Sequence, residues 1–180
     1  MPWEYFEFLG LDRRLKLDDN GLQKRFYALS REYHPDRFVR KSSAEQQAAL
    51  DSTAFLNDAY RTLRDPLARA EYVLKQEGLD VGEQKSKDVP PELLEEVFEL
   101  NVALEELRDG EASARPQLEQ ARENFTALLG DIDGNVQQQF GKFDEAQDRA
   151  VLQDIRSMLN RRRYIRNLLN EVEKALLISA

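Results

Sequence analysis

The chain has no cysteine, and only one of its 180 residues is a histidine. Without cysteine it can form no disulfide, no thiol nucleophile and no cysteine-ligated metal site, which fits a reducing compartment. A catalytic role for the lone histidine would need a base, a nucleophile or a metal partner, and no second histidine or cysteine can supply one. We therefore expect no enzyme activity, no cofactor and no metal.

Long apolar runs and strand-like alternation are also missing. No stretch approaches the roughly 20 apolar residues that cross a bilayer, and the opening residues MPWE do not resemble a secretory leader. No run of four or more residues alternates convincingly between apolar and polar side chains, so the pattern predicts an all-α fold. We expect a soluble, cytoplasmic protein with no membrane partner.

The net charge of −8 is unevenly distributed. Residues 78–180 carry 21 acidic and 13 basic side chains, whereas the short stretch 21–41 carries six basic and two acidic ones. Nucleic-acid binding favours a broadly cationic face, so this balance argues against a nucleic-acid partner. A small basic patch suits docking to an acidic protein surface.

Apolar periodicity divides the chain into two helical modules. Residues 1–77 hold four helical segments, residues 78–89 lack periodicity and form a linker, and residues 90–180 hold three long helices. Two capping boxes are predicted, Ser43 with Gln46 and Asp144 with Gln147, each at the start of a helix. The predicted helices span about 3–11, 21–33, 43–63, 66–77, 91–109, 115–140 and 144–177.

The stretch FYALSREYHPDRF, residues 26–38, joins an amphipathic helix to a proline corner. Pro35 lacks an amide donor and disfavours helical angles at the residue before it, so the helix should end at Tyr33 or His34. His34 and Asp36 are then held outward on a stiff corner among cations. Such a corner presents polar groups to a partner and is poorly arranged to enclose a small substrate.

The front module resembles the J-domain of DnaJ-type co-chaperones. The similarity rests on LGL at residues 9–11, HPD at 34–36 after its helix, and FLNDAYRTLRDP at 55–66. The segment RAEYVL at 69–74 and the acidic helical tail are similar to the HscB type, which is devoted to iron–sulfur cluster assembly. The resemblance implies a J-domain at 1–77 and a client-binding three-helix bundle at 90–180.

This resemblance implies docking on the ATP-bound form of a DnaK-type chaperone and stimulation of its ATPase. Tyr27 and Ala28 stand where general J-domains commonly carry cations, which favours a dedicated chaperone of the HscA type. The residues implied in chaperone binding are His34, Pro35, Asp36, Lys24, Arg25, Arg31 and Arg37.

The helix beginning near Pro91 carries two apolar stripes. One suits the bundle core: Leu93, Val97, Leu100, Leu104 and Leu107. The other, Leu94, Phe98 and Val102, is rimmed by glutamates and is typical of a docking patch, although it could instead meet another part of the bundle or the first module. Tyr164, off the predicted core stripe of the last helix, could join it. The resemblance implies binding of the iron–sulfur scaffold protein by Leu94, Phe98, Glu99, Val102 and Tyr164.

Two alternatives stay open at this point. The chain could be a J-domain co-chaperone for a different client, because the rear module is less specific than the front one. It could also be a helical interaction module that stimulates no ATPase.

Overall fold

The computed structural model describes residues 4–82 and 91–178. Of Glu92 it describes the backbone alone. The described part is helical and contains no strand, so the all-α prediction is confirmed. Most of the predicted linker, residues 83–89, lies outside the described residues, as does Trp3. The α-helices are α1 Tyr5–Leu9, α2 Asp19–Glu32, α3 Ser43–Arg64, α4 Pro66–Gln76, α5 Leu94–Arg108, α6 Arg115–Ala146 and α7 Arg149–Ile178.

The chain forms two compact units. Among the described residues, the first comprises 4–79 together with 140–148, and the second comprises 80–82, 91–139 and 149–178. Residues 140–148, which the sequence groups with the rear bundle, therefore fall in the first unit. No helix of the described residues is long and apolar enough to cross a membrane.

Local caps set the helix boundaries of the first unit. The side chain of Asp18 accepts from the amides of Asn20 and Gly21 and starts α2. Asp65 caps α4, with a proline at the first helical position as its sequence indicates. The capping box of α3 uses Ser42 and Glu45, so the predicted box is wrong by one residue.

The second predicted capping box is also wrong, because Asp144 caps no helix. Its carboxylate accepts from the backbone amides of Leu15 (2.7 Å) and Lys16 (2.8 Å), and α6 continues past it to Ala146. The carbonyl of Leu15 accepts in turn from Nε of Arg69 at 2.9 Å. The loop between α1 and α2 is thus bound by Asp144 through its amides and by Arg69 through a carbonyl. We call this arrangement of Leu15, Lys16, Asp144 and Arg69 the Leu15 clamp.

Arg69 is the buried charge of the clamp. Its side chain also donates to the carbonyl of Leu63, and the residue is 4% exposed. Burial lowers the pKa of its guanidinium, while Asp19, Asp144 and Asp65 act in the opposite direction.

The second unit is built from α5, most of α6, and α7. The five residues predicted for the core stripe of α5 are all buried, which confirms that stripe. For the last helix, the apolar periodicity predicts a core stripe made of Val151, Ile155, Met158, Ile165, Leu169, Val172 and Leu176. On α7 this stripe is displaced at its start, because Leu152 and Leu159 are buried whereas Val151 and Met158 are only half-buried. Arg162, which falls on the predicted stripe, binds the Asp133 carboxylate with two nitrogens.

Candidate functional site

The HPD corner, residues 34–36, stands at the C-terminal end of α2. Tyr33 is the C-cap residue of α2, and a short 3-10 helix, Pro35–Phe38, follows with proline at its first position. The residue before the proline has a ψ of 126°, which directs the chain out of the helix. The helix end and the turn therefore form one stiff bend, as the sequence predicts.

Three contacts fix the corner to the rest of the first unit. The Tyr33 ring stacks on Phe8 with 5.7 Å between ring centroids. The carbonyl of Tyr33 lies 3.0 Å from the Thr53 hydroxyl, whose single proton is shared with the carbonyl of Ala49 at 2.8 Å. Arg37 reaches back and donates to the carbonyl of Arg31 at 3.2 Å. The corner is positioned by its neighbours before any partner arrives.

His34 and Asp36 are both presented to solvent, with side chains 58% and 86% exposed. Nδ1 of His34 lies 3.3 Å from the Asp36 amide nitrogen and 3.5 Å from its carboxylate. The first contact needs a lone pair on Nδ1 and the second needs a proton there. The amide contact fits the neutral ring, which carries its proton on Nε2. The corner then offers one N–H donor and one carboxylate.

The predicted cations fall into two groups. Lys24 and Arg31 are exposed and lie on one face of α2 at i and i+7, with the exposed Tyr27 between them. Arg25 points elsewhere, because its Nε donates to the carbonyl of Leu9 at 2.9 Å. Arg37 is similarly engaged within the corner. Lys24 and Arg31 therefore present their charges to solvent, whereas Arg25 and Arg37 are hydrogen-bonded within the first unit.

The second apolar stripe of α5 is exposed in the structure. Leu94 is 55% exposed, Phe98 70% and Val102 39%, although each is large and apolar. The alternative that another part of the bundle covers this stripe does not hold for these three side chains. Glu99, beside them on α5, is also exposed.

Tyr164 does not share this exposure. It is 9% exposed and lies among the buried residues of α7, so the prediction that it lies off the core is wrong. Burial raises the pKa of its hydroxyl, with a smaller contribution from Glu171. The displaced stripe of α7 explains the error, since burial of Leu168 and Leu169 widens the apolar face there.

A groove of about 980 Å³ runs between α5 and α6. Phe98, Glu99 and Val102 line it, whereas Leu94 and Tyr164 do not. Sequence analysis missed the α6 wall of this α5–α6 groove. A signal existed in the spacing of Gln117, Ala121, Asn124 and Leu128, which recur at helical intervals on one face. Among the described residues, no cluster of His, Asp and Glu could hold a metal ion.

Comparison with known proteins matches each half of the chain to a different family model. The DnaJ domain model matches residues 4–72, and the HSCB C-terminal oligomerisation domain model matches residues 89–173. Chaperone HscB from Vibrio cholerae is 29% identical with a TM-score of 0.65, over 99% of this chain and 100% of that one. The human co-chaperone protein HscB is 27% identical with a TM-score of 0.68, over 96% of this chain and 81% of that one.

Proposed function

We propose a two-site adaptor role for this chain, which belongs to the HscB type of J-domain co-chaperone and so to iron–sulfur cluster assembly. That type is not a known enzyme family. In our proposal the chain binds the cluster scaffold protein and delivers it to a dedicated DnaK-type chaperone of the HscA type. It then stimulates ATP hydrolysis by that chaperone.

The exposed, internally fixed HPD corner is the observation that carries the proposal. A partner pays little ordering entropy to bind a bend already held by Phe8, Thr53 and Arg37. The Asp36 carboxylate can pair with an arginine of the chaperone, and the Nε2–H of His34 can donate to an acceptor on the chaperone. Pro35 keeps both groups at a fixed spacing.

Electrostatic attraction to the chaperone would come mainly from α2. Lys24 and Arg31 present charge on one face, while Arg25 and Arg37 donate to backbone carbonyls inside the first unit. Exposed cations at a protein interface act chiefly on the association rate and its salt dependence. In our proposed chaperone site, His34, Pro35, Asp36, Lys24 and Arg31 face the chaperone, whereas Arg25 and Arg37 belong to the site through the backbone contacts that they make within the first unit.

The scaffold-binding surface in our proposal is the exposed stripe of α5. Leu94, Phe98 and Val102 supply apolar contact area, and Glu99 supplies a charge beside them. Large exposed apolar side chains with a polar rim are characteristic of interaction surfaces. We leave Tyr164 out of this surface because a buried ring cannot be offered to a partner without repacking.

Two binding sites on one chain would bring the scaffold and the chaperone together. A scaffold bound to the second unit is present at high effective concentration for a chaperone bound to the HPD corner. Stimulation of the ATPase and capture of the client would then occur on the same chaperone molecule.

The ATPase rate of an HscA-type chaperone, measured with the purified chain and with the purified scaffold, tests the proposal. We expect the chain alone to raise the rate and the scaffold to raise it further. If the chain stimulates no DnaK-type chaperone, the alternative of a helical interaction module without ATPase stimulation is favoured instead. Stimulation without recovery of the scaffold from lysate would indicate another client.

The client site has its own variant and control. Replacing both Leu94 and Phe98 with alanine should weaken scaffold affinity at least about tenfold, since exposed apolar anchors dominate such interfaces. Leu177→Ala removes a leucine of α7 that is even more exposed, at 77%, and should leave the affinity unchanged. Equal affinities for both variants would contradict the assignment of the α5 stripe.

A further inference from the structure

The α5–α6 groove extends the exposed stripe of α5 onto a second helix. Phe98 and Val102 form its α5 edge, and Gln120, Asn124 and Ala127 are exposed on the α6 side. Its floor is made of buried apolar side chains, Leu100, Ala103, Leu118 and Phe125. The apolar surface is therefore a lined trough and not only a row of side chains.

The charges around the groove have one sign. Its described lining residues include four carboxylates and no lysine or arginine. Those carboxylates are Glu96, Glu99, Glu106 and Asp131. An occupant that buries apolar groups on this floor would gain from carrying cationic groups at its edges, because like charges facing the rim would repel.

We infer that the α5–α6 groove takes a segment of the scaffold protein that has large apolar side chains flanked by lysine or arginine. The inference rests on the proposed function and adds the α6 wall to the scaffold site. An apolar side chain of the segment would lie against Phe98 and the groove floor. The side chain of Gln120 donates to that of Asn124 at 3.1 Å, and the remaining donors and acceptor of this pair could hydrogen-bond to the backbone of the segment.

A groove-blocking variant tests the α6 wall. Ala127 lines the groove and is exposed, so Ala127→Trp would fill the trough without overpacking the core. Thr126→Trp introduces the same side chain one residue away, about 100° around α6, and Thr126 does not line the groove. Thermal unfolding of both variants, compared with the unchanged chain, checks that each is folded.

Affinity for the purified scaffold protein is the readout, measured by isothermal titration calorimetry. We expect Ala127→Trp to weaken binding at least about tenfold and Thr126→Trp to change it less than about twofold, as for central and peripheral interface positions. Glu106→Gln should reduce the salt dependence of binding. Equal affinity of the two tryptophan variants would overturn the inference.

Other outcomes separate this inference from the proposed function. If the Leu94 and Phe98 double variant loses affinity while Ala127→Trp does not, the α5 stripe binds the scaffold and the groove does not. If the unchanged chain fails to bind the scaffold, both are wrong. If Ala127→Trp alters only the oligomeric state of the chain, the groove holds a second copy and our inference is wrong.

Discussion

Replacing Asp144 with alanine should destabilise the first unit, although the residue follows the part of the sequence that forms the J-domain. Its carboxylate accepts two backbone hydrogen bonds, from Leu15 at 2.7 Å and Lys16 at 2.8 Å. Leu15 is completely buried. Removing the carboxylate leaves a buried amide without its acceptor, which costs more than losing a solvent-exposed bond.

The size of the effect follows from these two bonds. A hydrogen bond to a charged group contributes about 1.5–3 kcal/mol, and the bond to the exposed Lys16 contributes less than the bond to Leu15. We expect a loss of about 2–4 kcal/mol in the free energy of unfolding. For a chain of this size, 1 kcal/mol shifts the thermal midpoint by about 2–4 °C.

Urea and thermal unfolding followed by circular dichroism measure this loss. Glu145→Ala is the matched control, since it removes the same charge from an exposed neighbour on α6. It should change stability by less than about 0.5 kcal/mol, as surface substitutions usually do. If Asp144→Ala is as mild as Glu145→Ala, the Leu15 clamp contributes nothing and our account of the first unit is refuted.

Three further predictions test individual placements. Tyr164→Ala should lower stability by about 3 kcal/mol, as large-to-small core changes do, yet leave scaffold affinity within about twofold by calorimetry; a selective loss of affinity would restore it to the docking surface. Gly10→Ala should lower the thermal midpoint, because φ is +62° and a Cβ would overlap the Arg25 guanidinium; an unchanged midpoint would contradict this. Replacing Lys24 and Arg31 together with glutamate should weaken stimulation of the chaperone and reduce the salt dependence of that stimulation, whereas Arg25→Ala should mainly reduce stability. Equal effects of the two variants on stimulation would contradict the distinction between the exposed cations of α2 and those hydrogen-bonded within the first unit.

Local signals in the sequence predicted most of the helices. Asp65 followed by proline fixed the start of α4, and the stripe from Leu93 to Leu107 fixed the buried face of α5. The capping box of α3 was misplaced by one residue because Ser42 and Ser43 are each followed three positions later by a suitable partner. Short-range patterns therefore identify a helix more reliably than its cap residue.

Hydrogen bonds between residues far apart in the chain could not be predicted from the sequence. Asp144 has the local pattern of a helix cap, but its acceptor capacity is used by amides 129 and 128 positions earlier in the chain. Nothing in a local pattern can show such a partner.

Tyr164 illustrates the same limit on α7. Helical periodicity placed it beside the core, yet packing of neighbouring helices widens the buried face to include it. The α6 wall of the groove is likewise a product of two helices meeting. By contrast, the stripe of Leu94, Phe98 and Val102 was identified from the sequence, where its exposure was one of two alternatives left open.

The most direct test of the adaptor account is the ATPase rate of the HscA-type chaperone with His34→Gln. Glutamine keeps an amide donor but cannot reproduce the ring that bridges the corner through Nδ1 and donates through Nε2. We predict a rate close to that of the chaperone alone, with scaffold affinity equal to that of the unchanged chain. A stimulated rate that matches the unchanged chain would contradict the account, because the activating group would then lie outside the HPD corner.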